Sequence, residues 1–245
     1  MAEQIVHAIV LRRRDSGESD RRLTVLTEEQ GKLDVVAKGA RKAASRLAGS
    51  SDPLTAAVMN LALGKRNLFV TQAQPLSSFR KLRSDFERLS LALAFAELVA
   101  SVAPYEQPFP EAYELLMRSL RLLETHEKPV VALVWAELQL LSVSGFMPQF
   151  AFSAVSGKPV SEAEAFLSPR AGGYVADDEA NPYSDRIRYR AEVLYGLQKT
   201  AELDDPPANL KSAVECLSAL MPFWREVAEA PLPANEAAVV EARHG

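Results

Sequence analysis

The chain has 245 residues, of which 48% are hydrophobic, with a formal net charge of -4. That length admits one large domain or two smaller ones, and the apolar fraction is ample for a folded core. The lone cysteine, Cys216, excludes an intramolecular disulfide and any cysteine-based zinc cluster.

Residues 4–75 read as β structure. Ile5 to Leu11 forms a first strand, with a polar turn at Asp15 to Asp20. Arg22 to Thr27 follows, and Glu28-Glu29-Gln30-Gly31 turns into Lys32 to Ala37. Asp52-Pro53 opens a fourth strand, Leu54 to Leu63, and Gly64-Lys65-Arg66-Asn67 turns into a fifth, Leu68 to Ala73. Five short strands with regular turn signals predict a small barrel, with an OB-fold ahead of an SH3-like barrel as candidate.

From about residue 79 the period changes to that of a helix. Leu82, Phe86, Leu89, Leu93 and Ala96 recur three and four residues apart. Prolines 104, 108 and 110 interrupt the pattern, which resumes over Glu111 to Glu124. Another helix starts at Lys128-Pro129 and stops near Gly145. Residues 145–184 lose the periodicity and read as an irregular insert with a hairpin near Gly172-Gly173. Asp185 is expected to cap a helix over Arg186 to Ala201. A last helix begins at Asn209, runs to about Met221 and is open to continuation as far as Ala228, and the tail from Pro231 to Gly245 reads as frayed. The expected division is a barrel over 1–78 and a helical domain over 79–245, interrupted by the insert.

Charge is unevenly spread. Residues 1–80 hold 13 Lys and Arg against 8 Asp and Glu; residues 81–245 hold 15 against 24. The basic residues of the first part cluster as Arg12-Arg13-Arg14 with Arg21-Arg22, then Lys38, Arg41, Lys42 and Arg46 in a Gly/Ala/Ser-rich loop read as flexible, then Lys65-Arg66. In an antiparallel barrel the hairpin ends converge, so these eleven residues are the candidate contacts for a phosphate backbone. Stacking aromatics are few, with only Phe69 and Phe79 in the first 80 residues, so phosphate attraction is expected to dominate.

Candidates for catalysis are weak. His7, His126 and His244 lie apart, Cys216 sits in an apolar helical context, and the sequence contains no nucleophile elbow, Walker loop or dinucleotide fingerprint. Asp177-Asp178-Glu179 and Asp204-Asp205 read as solvated loops, although Asp177-Asp178 has the chemistry to take a hard cation. Neither catalytic residues, a metal nor a cofactor are expected. The apolar run of a signal peptide is missing, because Gln4, His7 and Arg12 to Arg14 interrupt it, and a soluble cytoplasmic protein is expected.

The order of parts resembles the RecO family. The resemblance rests on Ala8-Ile9-Val10-Leu11-Arg12, Gly17-Glu18-Ser19-Asp20-Arg21, Leu23 to Thr27, Gly31-Lys32, Val36-Ala37-Lys38-Gly39-Ala40-Arg41 and Ser45-Arg46-Leu47. It continues in Gly145-Phe146-Met147-Pro148 and in Phe166 to Gly173. It implies an α+β multidomain protein: an N-terminal OB-fold, then a helical domain with a zinc-finger-like insert. It also implies binding of single- and double-stranded DNA, strand annealing, and work with RecR to help load RecA onto DNA coated by single-strand-binding protein. A nucleoid-associated place in the cytoplasm follows from that role. The alternative is an adaptor that docks RecR and the single-strand-binding protein with little DNA contact of its own. The resemblance makes the helical domain the site for the acidic tail of single-strand-binding protein. Arg118, Arg121, Arg186, Arg188 and Arg190 are candidates for it by chemistry. One departure is clear: Ser153, Ser156, Ala176 and Glu179 stand where family members carry cysteine pairs. The insert is therefore expected to hold its shape without zinc, on a core of Phe146, Phe150, Phe152, Phe166 and Tyr174.

Overall fold

The computed structural model describes residues 3–160, 164–228 and 230–244. The chain divides into two compact units, Met1–Glu124 and Thr125–Gly245.

The first unit opens with five strands, β1 (Glu3–Ser16), β2 (Asp20–Thr27), β3 (Gly31–Ala37), β4 (Ala56–Leu63) and β5 (Leu68–Ser77). They close into a barrel in the order β1-β2-β3-β5-β4, with β4 returning to β1. One pairing, β3 with β5, is parallel, and it seals the barrel as an OB-type Greek key. Alternation explains the interior: Val6, Ala8, Val10, Leu23, Val25, Leu33, Val35, Met59, Leu61 and Val70 all point into one buried core. Strand β1 carries a bulge between Val10 and Arg12, which resets its register with β2.

Helices α1 (Arg80–Ser84), α2 (Phe86–Val102) and α3 (Pro110–Thr125) follow. Asp85 caps α2 by accepting from Arg88 N at 3.1 Å. The buried side of α2 holds Leu91, Phe95, Leu98 and Val99, whereas Phe86 is 75% exposed and Leu89 and Leu93 are only partly buried, so the apolar stripe read from the sequence lies to one side of the buried face.

The second unit holds α4 (Pro129–Val143), a three-stranded antiparallel sheet, then α5 (Ala191–Ala201), α6 (Ala213–Val227) and α7 (Pro233–His244). The sheet is built from β6 (Glu164–Ser168), β7 (Gly173–Val175) and β8 (Ile187–Arg190), in the order β7-β6-β8. Helix α4 is apolar on nearly all sides because α5 and α6 both pack on it. Trp135 and Trp224 are the largest fully buried side chains.

Three expectations are corrected. Residues 187–190 are strand β8, pairing with β6, so the helix starts at Ala191. Asp185 therefore caps no helix; its Oδ2 accepts from Ser168 Oγ at 2.9 Å and from Arg170 N at 3.0 Å. The last predicted helix starts at Ala213 rather than Asn209, and continues through Pro222 to Val227. The tail is also helical: α7 buries Ala238 and Val239, and Asn235 Nδ2 donates to Glu137 Oε1 at 2.9 Å. Its final Gly245 lies outside the described residues.

Candidate nucleic-acid interface

The β1 bulge decides which arginines face outward. Beyond it, Arg12 stands opposite Thr24, Arg13 opposite Leu23 and Arg14 opposite Arg22. On the other side of β2, Arg22 meets Val36 and Thr24 meets Asp34. Leu23 points into the core, so Arg12, Arg14, Arg22, Thr24 and Asp34 share the outer face. These five side chains, with Tyr105 and Asn67, line a cleft of about 330 Å³. Among the described residues, Arg12, Arg14 and Arg22 make no ion pair. Unpaired cations crowded on one face are expensive unless an anion comes to them.

The other eight basic residues fall into three groups. Arg13 pairs with Asp52, and Arg21 is largely buried against Ala48 O at 3.0 Å, Ser51 Oγ at 2.6 Å and Asp52 Oδ1 at 3.1 Å. Both tie the 48–52 segment to the barrel, so they are structural. Lys42, Arg46, Lys65 and Arg66 are exposed.

The basic loop is a run of hydrogen-bonded turns rather than a flexible strap. Gly39 N donates to Asp20 Oδ1 at 2.8 Å, and Arg41 N donates to Ser19 O at 2.9 Å. The Gly39 hydrogen bond, with Ser19, Lys38 and Lys42 nearby, holds the Asp20 carboxyl below its ordinary range. Arg41 folds back on Gly17 O at 3.2 Å and Asp15 Oδ2 at 3.3 Å. Lys38 Nζ lies over the Phe69 ring at 4.6 Å, and that ring packs on Gly64, where a Cβ would come within 2.4 Å of it. The β1–β2 turn, the 38–46 loop and the β4–β5 turn are thus joined by direct contacts. Phe79 is 2% exposed and has no face to offer a base.

Sequence reasoning missed Tyr105, which is 53% exposed and walls the cleft. Its backbone lies beside the start of β3, in a parallel bridge with Lys32. Lys32 N donates to Pro104 O at 3.0 Å, and Glu106 N donates to Lys32 O at 3.0 Å. A Cβ at Gly31 would sit 1.7 Å from Gln107 O, so only glycine lets this segment approach. That glycine was the available signal.

In the second unit, Ser153, Ser156, Ala176 and Glu179 are the four positions that the resemblance set against cysteine pairs. Ser153 Oγ donates to Glu179 Oε2 at 2.7 Å. Lys158 Nζ reaches Asp178 Oδ2 at 2.7 Å and Glu179 Oε1 at 3.6 Å. Hydrogen bonds from Ser156 and Ser153, then the Lys158 charge, lower the Glu179 carboxyl pKa. The hydrogen bond to Asp178 and the two carboxylate charges raise that of Lys158. Two hydroxyls, a methyl group and a carboxylate already answered by an ammonium do not fit a tetrahedral zinc ion. Of the five aromatic residues expected as the core here, Phe150 and Tyr174 are buried at 1% and 3%, but Phe146 and Phe152 are about half exposed at 52% and 53%. Phe166 carries Arg186 and Arg188 over its ring at 5.7 and 5.6 Å. The buried places are filled instead by Val160, Ala165, Leu167, Val175 and Ala180.

Arg188 pairs with Glu164 at 2.9 Å, and Arg190 with Glu192 at 2.7 Å and Glu215 at 3.3 Å. Arg118 and Arg121 belong to α3 of the first unit. Among the described residues one group has metal-ligand spacing, His7 with Glu28 and Glu29; it is exposed, and His7 Nδ1 lies 2.7 Å from Glu29 Oε1.

Residues 1–79 match the family model for the N-terminal part of recombination protein O, and residues 83–236 match that for its C-terminal part. The chain belongs to the RecO family. Among its relatives is a DNA repair protein RecO of Roseiflexus sp. (strain RS-1), 40% identical over 70% of this chain and 60% of its own length. Another, from Heliobacterium modesticaldum, is 39% identical over 69% of this chain and 63% of its own length. A third, from Gloeobacter violaceus, is 37% identical over 82% of this chain and 78% of its own length. The chain thus spans less than two thirds of the first two relatives. Among the described residues no helix is long and apolar enough to cross a membrane.

Proposed function

We propose that this RecO family member is a non-catalytic DNA-binding mediator of recombinational repair. It binds single- and double-stranded DNA through the outer face of its barrel and anneals complementary strands. With RecR, it helps RecA load onto DNA coated by single-strand-binding protein. Lys38, Lys42, Arg46, Lys65 and Arg66 extend the phosphate track along the joined turns, while Arg13, Arg21 and Arg41 shape it through their carboxylate and carbonyl partners. For the acidic tail of single-strand-binding protein, the second unit offers an apolar groove at Leu203, Pro207 and Leu210, edged by Lys199, by Glu202 and by Lys211, which pairs with Glu192.

One observation carries the DNA reading: Arg12, Arg14 and Arg22 converge unpaired on one face of an OB-type barrel. Each phosphate contact releases condensed counterions, so affinity depends steeply on salt. Fluorescence anisotropy of labelled single-stranded and duplex DNA against salt concentration tests it. Reversing Arg12, Arg14 and Arg22 to glutamate is expected to abolish measurable binding at moderate salt. Unchanged affinity at low salt would overturn the assignment.

A further inference from the structure

We infer that Tyr105 is a stacking platform for one unpaired base, which gives the arginine cleft a preference for single strands that its charge alone does not supply. This rests on the DNA-binding role proposed above and adds to it a residue outside the barrel.

The ring is fixed before any ligand arrives. Pro104 and Glu106 are hydrogen-bonded to Lys32 on either side of Tyr105. Gly31 lets Gln107 close against the barrel. Lys32 Nζ sits over the ring at 4.2 Å from its centroid and donates to Ala100 O at 2.6 Å, so one side of the tyrosine is occupied by a buried ammonium. The ring is nonetheless 53% exposed and forms a wall of the cleft. An aromatic side chain backed by protein and open to solvent is the geometry on which a base stacks.

Charge orients what enters. Arg14 and Arg22 face each other across β1 and β2, while Thr24 and Asp34 face each other across β2 and β3. Thr24 Oγ1 donates to Asp34 Oδ1 at 2.7 Å. Arg12 stands opposite Thr24 in the Asp34 row, so that row is balanced while the Arg14–Arg22 row is purely cationic. Tyr105 lines the cleft with both rows, and partial burial and then the Asp34 charge raise its hydroxyl pKa against the pull of Arg12, Thr24 and Arg14. A phosphate is drawn to the arginines and repelled by Asp34, so the sugar-phosphate backbone follows Arg14 and Arg22 and the base turns toward Tyr105. The cleft volume of about 330 Å³ is at the small end of ligand pockets, which suits one nucleotide unit. Duplex bases are already stacked and paired, and present only phosphates to this face. Tyr105 therefore adds affinity for single strands alone.

The test uses the full chain, an oligothymidylate carrying one 2-aminopurine, and a hairpin duplex. Wild-type protein is expected to quench the 2-aminopurine on binding. Tyr105→Ala is expected to weaken single-strand binding roughly ten-fold, to abolish the quench, and to leave duplex affinity and both salt slopes unchanged. Tyr105→Phe is expected to behave as wild type, which separates the ring from its hydroxyl. Equal losses on both DNAs, or no loss on either while wild type binds, would sink the stacking role and leave the phosphate role standing. Absence of binding by wild-type protein to both DNAs would remove both.

Discussion

Two sets of arginines, one in each unit, show why a count of charge misleads. Arg12, Arg14 and Arg22 sit on neighbouring strands of the barrel with no carboxylate partner among the described residues. Arg188 and Arg190, on β8, are matched by Glu164, Glu192 and Glu215, and Arg186 and Arg188 lie over the ring of Phe166. The sequence shows both as basic runs of similar density. In the second unit β6 brings Glu164 to Arg188, and α5 and α6 bring Glu192 and Glu215 to Arg190, so the charge is spent inside the protein. In the first, β3 brings only Asp34, which Thr24 already engages. An interface for a polyanion is marked by cations left over after internal pairing.

Reversing Arg12, Arg14 and Arg22 together has the largest expected effect: binding at low salt falls by at least about 100-fold, and removing them as alanines lowers the salt slope by about three. Replacing Arg186, Arg188 and Arg190 with alanine is expected to change DNA affinity less than about two-fold, because Arg188 and Arg190 are already paired with carboxylates and Arg186 is held by Tyr183 O and the Phe166 ring. Equal losses in the two triplets, measured by anisotropy titration, would erase the distinction between the units.

Gly31→Ala comes next. Its Cβ would meet Gln107 O at 1.7 Å, with φ at +71°. A loss of roughly 2 kcal/mol or more from the first unit is expected in urea unfolding. Single-strand affinity should fall as in Tyr105→Ala.

The second unit is expected to lose stability with rising pH through one buried carboxyl. Glu137 is fully buried, and accepts from Trp224 Nε1 and Asn235 Nδ2, both at 2.9 Å. Burial outweighs these two hydrogen bonds and pushes its pKa up to about 8. The unfolded chain ionises near 4.5, so the folded state holds the extra proton between those values. Stability contributed at this site is therefore full below about 4.5 and declines as pH rises toward 8. Unfolding of the full chain followed by Trp fluorescence is expected to show that slope, and Glu137→Gln to flatten it. The smallest effect concerns the Ser153–Glu179–Lys158 cluster: chelator treatment is expected to leave Tm unchanged, and Lys158→Ala to shift it by no more than about 2 °C. A stoichiometric zinc ion in purified, tag-free protein would contradict that.

Much of the first unit was legible because it follows local rules. Period-two alternation from Ile5 to Ala73, punctuated by Gly17, Gly31 and Gly64, yields five strands, although each end extends or retreats by a few residues. The arginine clusters were legible as charge. Which of them are free was not, because Arg13 and Arg21 are claimed by Asp52, some 30 to 40 residues away. Tyr105 was invisible for the same reason: it lies in an irregular stretch between prolines, and its place is set by a missing side chain at Gly31. In the second unit, Ile187 and Tyr189 alternate over too few residues to reveal a strand. Helix α7 looked like a frayed end because its anchor, Asn235 to Glu137, spans almost a hundred residues. Hydrophobicity alone could not sort the insert's five aromatics: Phe150 and Tyr174 are buried, whereas Phe146 and Phe152 are about half exposed and Phe166 lies under two arginines.

The Pro104–Gln107 strap carries a practical lesson about cutting this protein apart. The five strands end at Ser77, which invites truncation there. Such a fragment would lose the partners of Lys32 N and O, leave the Lys32 ammonium without Ala100 O, and expose the start of β3 as an open edge. It would retain every arginine of the cleft and lack its tyrosine. Comparing fragments 1–78 and 1–124 on the same DNAs would therefore show a barrel that still grips phosphate and has lost its means of telling one strand from two.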